Sequence, residues 1–572
     1  MSLIMKYIRP YIPRMTLGLI IKFVGTIMDL FLPWILSYMI DTIAPQKDVN
    51  LIIKWGFIML ICALIAVVTN IIANRMASWV ASQCTQKIRY DLFHKISYLS
   101  CAQVDYYTIP SLESRLTSDT YNVHNFISRI QRLGIRAPIL LIGGIFITLT
   151  LDPVLSSVLI LMLPLLSFVV YNVSKKGIPL YTHLQKGVDE MVRTVRENIT
   201  GIRVIKALSK SADERERFRK VNLDVADRET TAGVTMAITN PMMNLFLNTG
   251  LTLVIIVGAY RVNAGLTETG KIIAFLSYFT TILNAMLSIT RMFVMASRGT
   301  ASANRIDEIL QTSSDLELMP EDIIESENHI EFENVSFGYE KSRDHHIKNI
   351  SFSLKRGESL GIIGATGCGK STIINLLMRL YDNDEGSIRI DGRRVSSIPD
   401  EELHKKFGLV FQNDILFADT IAENISFGRN LSQEELEKAA SHAQAMEFIS
   451  SLPDKFEHKL TSKGTNLSGG QKQRVLLSRA LAGNPEILIL DDSSSALDYK
   501  TDAQLRQALR ENYSETTSII IAQRISSILH CDKILVLEEG ETIGYGTHDE
   551  LIKSCSVYQE ISQSQMGGSI DG

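Results

Sequence analysis

Cysteine is scarce, with six in 572 residues. Cys62, Cys84, Cys101, Cys368, Cys531 and Cys555 form no C-x-x-C pair and no ligand cluster with histidine, which argues against structural disulfides and fits a reducing compartment. A cleavable leader is not expected. Lys6, Arg9 and Arg14 precede an apolar run, but the run is too long and has no small-residue cleavage site, so it reads as a span that stays. Charge is thin as well, at 21% of residues against 46% apolar, and mean hydropathy lies just above zero. Disorder, collagen and a small secreted scaffold are excluded by that balance. The charges are unevenly placed: residues 1–320 hold 32 Lys and Arg against 22 Asp and Glu, and the remainder 26 against 40. A basic, apolar first half and an acidic, ordinary second half imply two objects on one chain.

Six stretches are long and apolar enough to cross about 30 Å of hydrocarbon. They lie near 16–40, 52–74, 134–151, 153–173, 237–260 and 272–296. Only Leu151, Asp152 and Pro153 join the third and fourth, which predicts a tight helical hairpin. The segments 75–133 and 174–236 are long and rich in Lys and Arg, whereas the turns near 41–51, 152 and 261–271 are short and nearly free of them. Long basic loops stay in the cytoplasm, so both termini are expected inside. Val188, Met191, Val192, Val195, Ile199 and Ile202 recur at helical spacing, so the spans should continue as helices well beyond the bilayer.

Polar side chains within the spans are costly in lipid and therefore candidates for function. Lys22 and Arg291 are expected to snorkel to the inner interface. Asp29, ahead of Pro33, should face a cavity or a partner helix. Asn244, Asn248 and Asn284 are expected to line a cavity.

After Arg305 the apolar runs shorten. An acidic linker is expected over 306–328, then an α/β domain with a mainly parallel sheet over 329–565, and a flexible tail over 566–572. The strand-like run Ser359–Ile363 leads into Gly364, Ala365, Thr366, Gly367, Cys368, Gly369, Lys370, Ser371 and Thr372, followed by a helical run. That is the context of a phosphate-binding loop. Glycines let backbone N–H groups wrap the phosphates at a helix N-terminus. Lys370 should reach the β- and γ-phosphates and Ser371 should ligate Mg²⁺, while Cys368 is merely a small loop residue. The buried strand Ile487–Leu490 ends at Asp491, the acid expected to hold the metal's water shell, and Asp492 follows. Between the two motifs lies Leu467-Ser468-Gly469-Gly470-Gln471.

Six spans, a phosphate loop, LSGGQ and a strand ending in Asp, in that order, strongly resemble the ATP-binding cassette exporters. The resemblance covers essentially the whole chain and implies a polytopic α-helical membrane domain, residues 1–305, followed by an α/β P-loop cassette. It implies that Tyr339 stacks on adenine, that Gln412 touches Mg²⁺ and the membrane-facing interface, and that the loop Ser495–Asp498 crosses between two cassettes. Two cassettes of such a pair sandwich two ATP molecules, so Ser468, Gly469, Gly470 and Gln471 would complete a site on a second chain. Leu112–Asp119 and Ser211–Lys220 look like the coupling elements that carry cassette closure to the spans.

Two positions depart from the family. Where it usually has Glu to polarise the attacking water, Asp492 stands, its carboxylate roughly 1.5 Å further back. Where it usually has a γ-phosphate-contacting His, Gln523 stands, which can hydrogen-bond but never carry charge. The pattern resembles the degenerate-site subunit of heterodimeric bacterial exporters, whose partner carries the Glu and His. The resemblance therefore implies ATP-driven export of an amphipathic drug, lipid or peptide from a bacterial-type plasma membrane, without a nucleic-acid partner. Three alternatives stay open: a homodimer, an importer on the exporter fold, and a non-transport cassette ATPase, against which the six spans argue.

Overall fold

The computed structural model describes residues 2–339, 345–493 and 496–566. The expected tail at 566–572 lies, but for Met566, outside them, as does Ser495. The chain divides into two compact units, one formed by Met1–Ser97 and Pro110–Thr312, the other by Tyr98–Ile109 and Ser313–Gly572.

Six helices of the first unit are long and apolar enough to cross a membrane: Ser2–Gln46, Val49–Ser97, Ile109–Leu151, Pro153–Thr200, Ser211–Asn263 and Thr269–Ile289. The fourth runs for 48 residues, about 70 Å at 1.5 Å per residue, more than twice the hydrocarbon thickness. Half of it must therefore stand in water, as the helical periodicity of 188–202 predicts. The hairpin between the third and fourth helices is as tight as expected. Asp152 is 2% exposed and caps the fourth helix, its carboxylate accepting the N–H groups of Val154 (2.9 Å) and Leu155 (3.2 Å) and pairing with Arg261 (3.2 Å). Burial opposes its ionisation, but those N–H bonds, the Thr267 hydroxyl and Arg261 outweigh burial and hold it below the usual carboxylate range.

Three expectations need correction. Lys22 does not snorkel: it is 3% exposed and donates to Asn74 Oδ1 at 3.1 Å. The sixth span's helix continues to Gln311, with Ile306 and Ile309 fully buried, so the irregular segment begins at Thr312 rather than 306. The two stretches expected to be coupling elements are also not separate short helices. Leu112–Asp119 is helical and packs within the membrane unit, where Asp119 is 2% exposed and accepts from Arg305 Nε at 2.9 Å. The separate short helix is Cys101–Tyr107, opened by a Ser100/Gln103 capping box and closed by Thr108 at φ +61°. In the second loop Ser211–Lys220 merely begins a long helix, and the short helix is Ile202–Ala207.

Cys101–Tyr107 belongs to the second unit and is fastened there. Ser100 bonds Asp315 (2.9 Å), Gln103 bonds the Ser313 carbonyl (2.7 Å), and the Tyr381 hydroxyl donates to Asp105 at 2.6 Å. Tyr381 in turn meets Tyr339 edge to face at 5.1 Å. A bond to a half-solvated carboxylate is worth about 1 kcal/mol. Tyr381→Phe should therefore leave the cassette folded and speed amide exchange across Cys101–Tyr107 about fivefold, read by hydrogen–deuterium exchange.

The cassette has two sheets. A four-stranded antiparallel sheet has the order β2 (Ile347–Leu354), β1 (Ile330–Phe337), β4 (Glu385–Ile390), β5 (Arg393–Arg394). A six-stranded sheet has the order β10 (Glu541–Gly546), β9 (Lys533–Glu538), β3 (Ser359–Gly364), β8 (Thr517–Ile521), β7 (Ile487–Asp491), β6 (Phe407–Val410). β9, β3, β8, β7 and β6 are parallel neighbours, and β7 is buried throughout, which is why Ile487–Leu490 reads as an unbroken apolar run. Their C-terminal ends gather at one edge, where ligands of open parallel sheets bind.

Candidate functional site

At that edge β3 turns through 364–369 into the helix Lys370–Leu377. Gly367 and Gly369 take φ of +86° and +96°, values that disfavour a side chain. A Cβ on Gly369 would stand 2.5 Å from Ile347 Cγ2, so backbone and β2 approach as closely as they can. The loop is held in shape by its own lysine: Lys370 Nζ donates to the Gly364 and Ala365 carbonyls, both at 2.8 Å, and lies 3.7 Å from Cys368 Sγ. Cys368 is 5% exposed and serves as packing, as the sequence suggested.

β7 delivers Asp491 to the same edge. Its carboxylate is 5% exposed and accepts from Ser371 Oγ at 2.9 Å. Asp492, one residue on, has φ +52°, with its N–H bonded to the Ile521 carbonyl of β8 at 3.0 Å. This left-handed turn folds its side chain toward Gln523, whose Nε2 donates to Asp492 Oδ2 at 3.3 Å, and Gln412 adds another side-chain hydrogen bond. Both carboxyls are pushed above the ordinary aspartate value, chiefly by burial. For Asp491 the neighbouring Asp492 charge adds to this and Ser371 and Lys370 pull back; for Asp492 it is Arg524, Gln412 and Lys370 that pull back. A cleft of about 180 Å³ joins these groups, lined by Thr366, Gly367, Gly369, Lys370, Ser371, Thr372, Gln412, Asp491, Asp492 and Gln523. His346 and Ile521 line it too, and the sequence reading passed over both, as it did the Arg524 charge. Nothing in a His pair ahead of a strand could have marked it.

Tyr339 stands beside the loop. Its hydroxyl is 3.3 Å from Thr372 Oγ1 and accepts from Asn375 at 3.1 Å, while 41% of the residue stays exposed, leaving ring surface for a planar partner. Ser468, Gly469, Gly470, Gln471 and Asp498 do not line the cleft. Ser468 and Gln471 form a capping box on the helix Gly469–Leu481, and the open side of Gly470 faces the Ala496 carbonyl. Asp498 caps the helix Tyr499–Asn512 through the Lys500 and Thr501 N–H groups, which lower its pKa. The structure thus gathers the P-loop, Asp491, Asp492, Gln412 and Gln523, and leaves the LSGGQ segment outside the lining of this chain's own cleft.

A P-loop nucleotide cassette on the same chain as six membrane-length helices defines an ATP-coupled membrane transporter. The family models agree: residues 15–286 match the ABC transporter transmembrane region and residues 347–495 the ABC transporter cassette. An uncharacterized ABC transporter ATP-binding protein of Bacillus subtilis, YfiB, is 34% identical over 98% of both chains. A second from that organism, YknU, is 31% identical over 98% of this chain and 96% of its own. The solved structure of a bacterial Atm1-family ABC exporter with ATP bound superposes with a TM-score of 0.82 at 24% identity, covering 97% of this chain and 99% of that one, and so shares its fold. This chain belongs to the ABC transporter family, as a half-transporter with one membrane region fused to one ATP-binding cassette. Half-transporters work as dimers in a membrane.

Proposed function

We propose that this chain is the degenerate-site half of a heterodimeric exporter that expels an amphipathic drug, lipid or peptide from a bacterial-type inner membrane, with cassette and both termini cytoplasmic. The observation that carries the reading is Asp492: a short acid, turned back at φ +52° and held by Gln523 at 3.3 Å. A general base one methylene short of its water loses rate steeply, because proton transfer tolerates little displacement. Binding groups are intact. Lys370 and the loop N–H groups would hold the phosphates and Tyr339 would stack on adenine. Ser371, Asp491 and Gln412 form a hard-oxygen donor set that fits Mg²⁺, the ion that would neutralise phosphate charge there. Ser468, Gly469, Gly470 and Gln471 would complete the nucleotide site of a partner that carries Glu and His, and Asp498 would lie at the crossing between the cassettes.

ATPase activity of this chain purified alone in lipid nanodiscs tests the reading, with ATP binding measured alongside. Tight binding with negligible turnover is expected. Brisk turnover would make Asp492 a competent base and the assembly a self-sufficient homodimer. Asn244 and Asn248 are exposed on the fifth helix and Asn284 on the sixth, which keeps them available as cavity contacts.

A further inference from the structure

Among the described residues, the membrane unit holds a group of cations that its carboxylates neutralise only in part. Lys22, on the helix Ile12–Tyr38, is buried against Asn74 of the helix Val49–Ser97. The Lys22 ammonium experiences Arg132 and Arg136 as well as Asp29, so the four form one electrostatic cluster. Asp29 accepts from Arg136 at 3.2 Å and lies 3.4 Å from Asn70 Nδ2. Among the described residues Arg132 is satisfied only by the neutral Ser78 hydroxyl. The Nε groups of Arg132 and Arg136 are both buried without a hydrogen-bond partner. Among the described residues, three cations thus face one carboxylate.

Depth makes the imbalance matter. Tyr11, Arg14 and Trp79 form a group of the kind that anchors helices at a membrane interface, Tyr11 edge to face with Trp79 at 5.7 Å and the Arg14 guanidinium over the indole at 3.8 Å. Lys22 lies eight residues beyond Arg14, about 12 Å further along the helix, and Asp29 about 10 Å beyond that. Lys22 is 3% exposed and has spent its reach on Asn74, whereas Arg136 and Asp29 keep 42% and 25% of their side chains open, room for a head group to approach. The helices are locked together there, since a Cβ on Gly25 would fall 2.3 Å from Thr69 Oγ1. Two uncompensated charges at that depth are retained at a cost unless an anion joins them.

We infer that the Lys22–Arg132–Arg136 cluster is a binding site for the carboxylate or phosphate head of an amphipathic anion entering from the inner leaflet. This deepens, and rests on, the reading of the chain as a transporter of amphipathic cargo: it selects anionic cargo and disfavours cationic drugs, whose charge would add to the imbalance. The acyl or aromatic body would remain in the lipid-like surroundings and only the head would be gripped.

All three tryptophans, Trp34, Trp55 and Trp79, lie on the two helices that hold Lys22 and Asn74, so the site has a built-in reporter. Full-length protein carrying Trp34→Phe and Trp55→Phe, in phosphatidylcholine nanodiscs, is titrated with 9,10-dibromostearate or with dibromostearyl alcohol, and bromine quenching of Trp79 is read. The carboxylate should bind at least tenfold more tightly than the alcohol. Lys22→Met should erase that preference and leave alcohol binding unchanged; it replaces a buried charge with an apolar chain of similar length and so should fold. Asp29→Asn/Arg136→Gln removes one charge of each sign, leaves the excess of two cations, and should therefore keep a preference for the carboxylate. Equal quenching by both probes, as when a carboxylate of a second chain fills the site, overturns the inference, as does a preference that survives Lys22→Met. Phosphatidylglycerol nanodiscs separate the sources: loss of quenching assigns the site to resident anionic lipid, and quenching that persists and is released by ATP assigns it to cargo. Binding is read without hydrolysis, so a failure of ATP-driven transport would leave this result standing, and the reverse.

Discussion

The double variant Asp492→Glu/Gln523→His hydrolyses ATP ten- to a hundredfold faster than the unaltered chain in nanodiscs, with nucleotide affinity nearly unchanged. Lengthening the acid by one methylene carries its carboxylate roughly 1.5 Å toward the γ-phosphate side of the cleft. Misplacement of about 1 Å is enough to cost two orders of magnitude, so the expected gain corresponds to about 1.4–2.7 kcal/mol of barrier. Replacing Gln523 frees Asp492 Oδ2 of the amide that now donates to it at 3.3 Å and supplies a group able to carry positive charge. The two changes meet in one network and should not add independently. Asp492→Glu alone should recover part of the gain, whereas Gln523→His alone should recover little, because the short acid stays out of reach. Glu is less at ease than Asp at φ +52°, so a small loss of cassette stability should accompany the gain. Steady-state phosphate release measures the outcome. A double variant no faster than the parent would show that Asp492 is not what limits turnover.

Which features were legible in the sequence follows from how far apart their partners lie. The P-loop and Asp491 could be read because each is a short contiguous pattern whose chemistry is local: a glycine loop between strand and helix, and an acid ending an apolar strand. The Leu151–Pro153 hairpin was legible for the same reason. Lys22 was misread because its fate depends on Asn74, 52 residues away, and snorkelling is the sensible default for a lysine with no visible partner. The short helices Cys101–Tyr107 and Ile202–Ala207 lie about ten residues before the charged stretches Leu112–Asp119 and Ser211–Lys220, because charge does not mark a helix start; Ser100 and Gln103 spell a capping box that does. The end of the sixth helix was missed because no Gly or Pro lies near Gln311 to announce it. In the candidate site, the departures at Asp492 and Gln523 were visible as residue types, but the left-handed turn that ties them together needed β7 and β8 side by side.

Lys370→Ala weakens ATP binding at least a hundredfold, the opposite signature from the Asp492 variant, which changes rate and spares affinity. Lys370 does two things in the structure. Its ammonium bonds the Gly364 and Ala365 carbonyls at 2.8 Å, which holds the loop open in the shape phosphate requires, and it is a cation of the cleft beside buried Asp491 and half-buried Asp492. Without it, Asp491 and Asp492 would repel a polyphosphate with little to offset them. Charge-assisted hydrogen bonds to phosphate are worth about 1.5–3 kcal/mol each, so losing two of them accounts for the hundredfold. Lys370→Arg should fail as well, by tenfold or more: a planar guanidinium cannot direct a compact point charge between the loop carbonyls and the phosphates. Titration with a fluorescent ATP analogue gives the affinity, and an unchanged melting temperature shows that the fold persists, since no core cluster depends on this side chain. Affinity retained in Lys370→Ala would mean that the loop N–H groups alone bind the nucleotide. The distinction between a site that binds and a site that hydrolyses would then rest on the backbone rather than on Lys370.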